Sequence, residues 1–213
     1  MVSEMSIMKT RRLLAKQSGV RSTFIGHSDE FGHATIKESS LELDYFNWMV
    51  FTLPAEVEFI MQPPKHYYHL NGKDTHYTAD GHIRYPSGKI YVDEVKYKED
   101  ADKPATAYKH SVLKEEFSKL ENTTFRVLTE HDIRVGERAE NFKMLKPCLK
   151  HQPPVKALEA LLSNVKQSQL SLVELFDIAD KKKIDRGVIK NAVAHQLLRA
   201  DLTVAWKDLV FTL

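Results

Sequence analysis

The sequence predicts a mixed α/β domain followed by a small helical domain, and three observations lead to this prediction. Between positions 36 and 150, stretches with helical spacing of apolar residues alternate with runs of β-branched and aromatic residues. A break, Gln152-Pro153-Pro154, follows this alternating region. Beyond the break, helical periodicity returns with one strand-like end, and 213 residues are enough for one mid-sized and one small domain.

The elements of the first domain follow in a clear order after Lys37. The first is a helix of about three turns, because apolar residues recur at helical spacing between a serine N-cap and a proline; these positions are Leu41, Tyr45, Trp48 and Met49, with Ser39 or Ser40 before them and Pro54 after. Next, Asn71-Gly72 and Pro86-Ser87-Gly88 separate three alternating runs, which predicts a three-stranded antiparallel meander. A helix within 107–122, a strand at 125–128 and a further short helix complete the domain.

The second domain is predicted at 151–213. Three segments with apolar periodicity indicate three short helices, and the strand-like TVAWKDLVFTL ends the chain. This order is typical of a small helix-turn-helix or winged-helix module.

Composition and charge narrow the class of protein. Hydrophobic residues make up 42% and charged residues 28% of the chain, as in ordinary soluble globular proteins. No apolar run reaches the roughly 18 residues of a membrane span, and the N-terminus lacks a signal-peptide core. We therefore expect a cytoplasmic protein with no membrane contact. The single cysteine, Cys148, excludes an internal disulfide and a cysteine-based zinc cluster.

Basic residues cluster near both ends of the chain, although the net charge is only +2. We expect residues 1–35 to form a loop-rich basic segment whose candidate DNA contacts are Lys9, Arg11, Arg12 and Arg21. The second cluster comprises Lys181, Lys182, Lys183, Arg186, Lys190 and Arg199. Such clusters can neutralise phosphates, and solvated surface charge explains either one equally well.

Asp80, Glu94 and Lys96 are the candidate residues for chemistry. In KIYVDEVKY, side chains alternate across the sheet, so Glu94 and Lys96 lie on one face together with the apolar Ile90 and Val92. The carboxylate of Glu94 and the ammonium group of Lys96 therefore extend a row of buried apolar side chains. Burial of charge is costly unless the charge is paired or binds a metal.

The register of the hairpin decides whether Asp80 joins them. A three-residue Pro86-Ser87-Gly88 loop with Gly88 in the left-handed conformation places Asp80 opposite Glu94 on the same face. A two-residue loop places it on the other face, unless a bulge at Gly81 restores it. We expect the side chains to converge.

Two carboxylates and a lysine in this arrangement suit hydrolysis of a phosphodiester. Hard oxygen ligands hold Mg²⁺, which lowers the pKa of a bound water and neutralises charge in the transition state. Lysine can orient or deprotonate the attacking water, or stabilise the developing charge. The spacing corresponds to the PD-(D/E)xK nuclease signature, whose pieces also occur by chance in surface ion pairs.

The histidines of the same region, His66, His69, His76 and His82, lack a compact ligand spacing. Solvated or DNA-facing histidines are therefore favoured over a zinc site.

Several further motifs occur around these residues in a fixed order. They are ESSLELDYF with Glu42, FIMQPP at 59–64, NGK at 71–73, YTADGHIRY at 77–85, SGK at 87–89, DEVKY at 93–97 and FRVLTEHDIR at 125–134. In this order and spacing the chain resembles the TnsA endonuclease family from about residue 36 to 147. The resemblance implies a restriction-endonuclease-like fold, in which a mixed sheet is flanked by helices.

The resemblance also implies roles for individual residues. Glu42, Asp80 and Glu94 would be the catalytic carboxylates and Lys96 the catalytic lysine. Glu42, Asp80, Glu94 and the carbonyl of Val95 would hold Mg²⁺, for which Mn²⁺ would substitute. Further candidate DNA contacts are Gln62 and Lys98. The chain departs from the family's T-P-D-F strand, with Ala79 for proline and Gly81 for phenylalanine.

The function that this resemblance implies is cleavage of double-stranded DNA at the 5′ ends of a transposon. The implied partners are a DDE-type transposase, which cuts and joins the other strand, and an AAA+ ATPase regulator that would contact residues 155–213. Two alternatives stay open: a stand-alone restriction or repair nuclease of the same fold, and a non-catalytic DNA-binding scaffold.

Overall fold

The computed structural model describes residues 24–28, 33–37, 39–61 and 63–213. They divide into two compact units. One comprises the described residues up to Phe46 together with Pro54–Glu130, and the other comprises Asn47–Leu53 and His131–Leu213. The chain is a mixed α/β protein, and no helix in its described part is long and apolar enough to cross a bilayer.

An antiparallel hairpin forms the first described part of the chain, with strands β1 (Phe24–Ser28) and β2 (His33–Lys37). This hairpin differs from the loop-rich structure that we expected over residues 1–35. Phe24, Ile25 and Ile36 are of residue types that favour strands, and strand pairing outweighs the polar composition around them.

The main sheet has four strands in the order β3-β6-β7-β8. These strands are β3 (Glu58–Met61), β6 (Gly81–Arg84), β7 (Ile90–Val95) and β8 (Thr123–Leu128). The first three pair antiparallel, whereas β7 and β8 are parallel. A mixed sheet is thus present, as predicted, and the strand expected at 125–128 is confirmed as β8.

The described part of the first unit has three helical segments, of which the first is shared with the second unit: α1 (Ser40–Thr52), α2 (Lys98–Ala101) and α3 (Pro104–Ser118). The Tyr45 hydroxyl of α1 donates a hydrogen bond to Asp93 of β7, while Leu113 of α3 packs in one cluster with Val92 of β7. Since Val92 and Asp93 are consecutive in a strand, they point to opposite faces. The sheet therefore has a helix on each face, and the predicted helices within 40–53 and 107–122 are confirmed.

The region around Asn71-Gly72 differs from the predicted three-stranded meander. Strands β4 (His66–Leu70) and β5 (Lys73–Tyr77) form a hairpin of their own, so five strands rather than three lie between α1 and α2. Asn71 and Gly72 both have positive φ, at 52° and 76°, as a tight hairpin turn requires. Pro63 and Pro64 supply no backbone N–H for a ladder, which ends β3 and separates it from β4.

The second unit contains short helices and a three-stranded antiparallel sheet of order β10-β11-β9. Its elements are α4 (Glu130–Ile133, at the boundary), α5 (Arg138–Leu145), a 3-10 helix (Lys146–Lys150), α6 (Val155–Leu162), β9 (Gln169–Ser171), α7 (Leu172–Lys181), α8 (Gly187–Ala194), β10 (Arg199–Ala200), a 3-10 helix (Trp206–Asp208) and β11 (Val210–Thr212). The three predicted helices correspond to α6, α7 and α8.

The two units meet in the chain at Glu130 and His131, whereas the sequence suggested a boundary near residues 147–154 and domains at 36–150 and 151–213. The reason is packing. Phe51, Phe142 and Leu145 belong to the same buried cluster as Leu175 and Phe211. Burial of apolar surface, rather than the prolines, sets the limits of the unit.

Candidate functional site

The turn between β6 and β7 has the geometry that the register prediction required. Tyr85 N donates to the Lys89 carbonyl at 2.9 Å, and Gly88 N donates to the Tyr85 carbonyl at 2.9 Å. Gly88 has φ 85°, so Pro86-Ser87-Gly88 is a three-residue loop with a left-handed glycine, as predicted.

Asp80 leaves the ladder just before β6 and turns its carboxylate to β7. Its backbone N donates to the Asp93 carbonyl at 2.9 Å, and its Oδ2 accepts a hydrogen bond from Val95 N at 2.7 Å. The carboxylate thus takes the place of a backbone acceptor at the end of β7. The pairing of Gly81 with Asp93 places Asp80 opposite Glu94, and the charge of Glu94 acts on the pKa of Asp80.

The surroundings of Asp80 disfavour its charge. Burial raises the pKa of Asp80 well above its ordinary value, and the nearby charges of Glu94 and Glu42 raise it further. The hydrogen bond from Val95 N and the charge of Lys96 oppose this rise. Asp80 is therefore within electrostatic reach of Glu94, Glu42 and Lys96.

The surroundings of Glu94, by contrast, favour its charged form. Burial acts to raise its pKa, but His110, Tyr77, Lys109 and Lys96 together hold the pKa of Glu94 below its ordinary value. The Tyr77 hydroxyl donates to Oε2 at 2.7 Å. His110 Nε2 is 3.7 Å from Oε1, which is too long for a hydrogen bond, so its attraction is that of a nearby charge when protonated. Two adjacent carboxylates with diverging pKa values are typical of acid–base and metal sites.

Glu42 lies in the first turn of α1 and takes part in its cap. Its backbone N donates to Ser39 Oγ at 3.2 Å, and Ser39 Oγ donates to Glu42 Oε1 at 3.1 Å. Ser39 is therefore the N-cap residue. The influence of Glu42 on the pKa of Asp80 shows that the cap also brings this carboxylate near the site.

Carboxylate oxygens, such as those of Asp80 and Glu94, are the donors that hard divalent cations prefer. Among the described residues, no group of three His, Cys, Asp or Glu side chains is gathered closely enough to hold a metal ion. Burial, followed by the charge of Glu94, raises the pKa of Asp80, and a bound cation would favour the ionised form of this carboxyl group. Mg²⁺ is often bound by one or two carboxylates with several waters retained.

A buried ionic network lies on the other face of β7, and the sequence analysis did not single it out. Arg126 Nε and Nη2 donate to the two oxygens of Asp93, each at 2.7 Å, and the Tyr45 hydroxyl donates to Asp93 Oδ2 at 2.8 Å. Asp93 is fully buried. The sequence signal for this network was Asp93 itself, a charge placed on the buried face opposite to that of Glu94.

The tyrosine of this network explains why position 81 is occupied by glycine. A Cβ at position 81 would lie 2.1 Å from the Tyr45 hydroxyl oxygen, so only glycine lets this tyrosine reach Asp93.

Of the predicted DNA contacts, Lys98 lies within the described residues. Lys98 is exposed, and its Nζ binds both carboxylate oxygens of Asp102, one of them at 2.6 Å. The remaining candidates lie outside the described residues: Lys9, Arg11, Arg12, Arg21 and Gln62.

In the C-terminal basic cluster, two residues have structural partners. Lys182 Nζ donates to the carbonyls of Ala160, Leu161 and Ser163 at 2.6–3.0 Å, and Arg186 pairs with Asp180. These contacts support the solvated, structural interpretation of those two charges.

No protein-family model matches the chain, and no curated protein matches it. The observations that bear on function are therefore its own paired carboxylates, their lysine and the order of its motifs.

Proposed function

We propose that this chain is a metal-dependent DNA endonuclease, the subunit of a TnsA-type heteromeric transposase that cuts the 5′ ends of the element. The observation that supports the nuclease activity best is the pair formed by Asp80 and Glu94, whose pKa values respond to the charge of Lys96, two residues beyond Glu94. The motif order of the first unit supports the narrower assignment to a transposase.

The architecture agrees with this proposal. A mixed sheet with a helix on each face, and acidic residues where two antiparallel strands end, suit a restriction-endonuclease-like fold. In the second unit, the order helix, strand, helix, helix, strand, strand, with β11 between β10 and β9, suits a winged-helix module. We infer that this module binds the AAA+ ATPase regulator and that double-stranded DNA and a DDE-type transposase are the other partners.

We propose a role for each residue of the site. Asp80 and Glu94 would hold Mg²⁺, with Glu42 and the Val95 carbonyl beside them. The ion supplies a more acidic bound water and charge neutralisation at the phosphate. Lys96 would orient the attacking water and stabilise developing charge. Tyr77 fixes the carboxylate of Glu94 through its 2.7 Å hydrogen bond, which keeps that ligand in place.

The decisive experiment reconstitutes the full-length chain with the products of the neighbouring genes on duplex DNA that carries transposon ends. Asp80→Asn and Lys96→Met should abolish cutting of the 5′ strand while the partner transposase still cuts the other strand, so that cointegrates replace simple insertions. Asp74→Asn and Lys114→Met, which alter exposed residues, are the controls. Unchanged 5′ cutting in Asp80→Asn would remove this residue from the active site.

Metal binding is tested without cleavage. Millimolar Mg²⁺ should raise the Tm of the wild-type chain, because a ligand that binds only the folded state stabilises it. The Tm of Asp80→Asn should respond little, and that of Asp74→Asn should respond like the wild type. Equal responses in all three proteins would contradict a site at Asp80.

A further inference from the structure

His110 is a buried histidine of α3 that has no role in the proposed cleavage reaction so far. Its Nε2 atom is inaccessible, and no atom of the described residues forms a hydrogen bond with it. Buried polar atoms are normally paired, because an unpaired one loses its hydration without compensation. The position of this nitrogen therefore points to a partner that it contacts in another state of the protein.

The acceptor that faces this nitrogen belongs to Glu94. His110 Nε2 lies 3.7 Å from Glu94 Oε1, and both side chains are 9% exposed. A formed N–H···O bond is about 3.0 Å long, so a shift of roughly 0.7 Å completes the contact. Hydrogen bonds of catalytic groups are often long in the free protein and shorten when the ligands bind.

The other oxygen of Glu94 is already held. The Tyr77 hydroxyl donates to Oε2 at 2.7 Å, so a small rotation of the carboxylate about this oxygen moves Oε1 towards His110. Val92 packs in one cluster with Leu113 of α3, and Glu94 lies on the same face of β7 as Val92. The helix that carries His110 thus packs on the face of the sheet that carries Glu94.

Burial also decides between an internal and an external partner for His110. The centroid of its ring is 6.2 Å from that of Phe125 in β8, and its Nε2 has no accessible surface for a molecule from solvent. The acceptor must therefore come from the protein itself. Glu94 Oε1 is the acceptor whose distance fits.

A carboxylate that binds a metal ion keeps lone pairs for hydrogen bonds from its neighbours. These bonds orient the ligand, and their removal typically weakens metal binding by about 10- to 100-fold. A second donor on Glu94, opposite Tyr77, would fix the plane of this carboxylate.

We propose that His110 is a positioning residue of the metal site, which donates a hydrogen bond from Nε2 to Glu94 Oε1 when Glu94 binds the ion. The donor is the ring tautomer that carries its hydrogen on Nε2. This inference rests on the proposed nuclease function and adds to it a residue that does not touch the metal or the DNA.

Three substitutions of His110 in the full-length chain separate hydrogen bonding from packing. The amide nitrogen of His110→Gln replaces Nε2, that of His110→Asn replaces Nδ1 instead, and His110→Phe keeps a ring without nitrogens. His110→Gln should bind Mg²⁺ like the wild type, whereas His110→Asn and His110→Phe should bind it about tenfold more weakly. His76→Phe, at an exposed histidine, is the control and should match the wild type. The dependence of Tm on Mg²⁺ concentration gives each Kd.

Nuclear magnetic resonance of the ¹⁵N-histidine-labelled wild-type chain observes the hydrogen bond directly. Saturating Mg²⁺ should move the His110 Nε2–H proton resonance downfield, because the bond to Glu94 shortens. The loss of this resonance in His110→Gln assigns it. A resonance that Mg²⁺ leaves unchanged would overturn the inference, whatever the variants do.

The two proposals fail separately. Equal Kd values for Mg²⁺ in the wild type, His110→Asn and His110→Phe would refute the role of His110 and retain the metal site. Equal weakening in all three His110 variants would assign the effect to packing and would also overturn the inference. A wild-type chain whose Tm does not respond to Mg²⁺ would refute the proposed function, and the role of His110 with it.

Discussion

Asp93 and Glu94 are neighbours in the chain with opposite surroundings. Asp93 has no exposed surface, and its oxygens accept three hydrogen bonds from Arg126 and Tyr45. Glu94 lies beside a second carboxylate, Asp80, whose pKa is raised. Both oxygens of Asp93 are thus paired with a cation or a hydroxyl, whereas Glu94 accepts a hydrogen bond from Tyr77 and raises the pKa of the nearby Asp80.

Removal of the Arg126 charge tests the structural role of Asp93. Arg126→Met should lower the free energy of unfolding by about 3 kcal/mol, because it leaves a buried carboxylate unpaired; this is the lower end of the usual range, since the Arg126 side chain is 31% exposed. Arg84→Met, which breaks the exposed pair with Glu58, should cost less than about 1 kcal/mol. Urea denaturation measures both, and similar losses would contradict the distinction.

Asp80 should make stability depend on pH. Since its pKa is raised in the folded state, its contribution to stability is fully present below the ordinary Asp value of 3.8 and is lost as the pH rises through the raised pKa. In metal-free buffer, Asp80→Asn should therefore be more stable than the wild type at neutral pH, and the difference should vanish below pH 3.8. Urea denaturation across this range measures it. A variant less stable than the wild type at neutral pH would show that Asp80 is stabilised as an anion.

At the scale of elements, one charged residue of the C-terminal basic cluster stabilises the end of a helix. Lys182 follows α7 and donates to three carbonyls at the end of α6, Ala160, Leu161 and Ser163. The last carbonyls of a helix have no partner within the helix, and a cation there also interacts favourably with the helix dipole. A lysine that looks like a phosphate contact in the sequence is used to join two helices.

The substitution Lys182→Met tests whether this lysine stabilises the two helices that it joins. Lys182→Met should lower the stability of the chain by about 1 kcal/mol. The neighbouring Lys181→Met should change it little, because no described contact of comparable kind involves the Lys181 ammonium. Thermal and urea denaturation provide the comparison, and equal effects of the two variants would remove the capping role.

At the scale of the whole molecule, the second unit depends on residues from two distant parts of the chain. Phe51 stacks on Phe142 at a centroid distance of 5.0 Å, and both belong to the buried cluster of the C-terminal helices. Deletion of residues 155–213 would therefore expose apolar surface on the remaining segments. Such a deletion is a poor test of ATPase binding, because binding could be lost through unfolding.

A chain that ends at Pro154 should be destabilised and aggregation-prone, because Phe142 and Leu145 lose the residues that bury them. We expect strong binding of a hydrophobic dye and a broadened thermal transition relative to the full chain. Val173→Asp, at a side chain that is 60% exposed on α7, tests partner contacts without opening the core. A truncated chain with a wild-type transition would refute the shared core.

The sequence by itself determined the elements whose causes are local. Helical spacing set α1 and α3, and the left-handed preference of glycine set the loop at Gly88. Residues a few positions apart carry these interactions, so no knowledge of the rest of the chain is needed.

Only the tertiary structure decided the features that depend on distant partners. In that structure the Asn71-Gly72 hairpin is separate from the main sheet, and Asp93 accepts hydrogen bonds from Arg126 and Tyr45. It also assigned Phe142 to the C-terminal core. Burial and ion pairing depend on which surfaces come together, and residues far apart in the chain supply those surfaces.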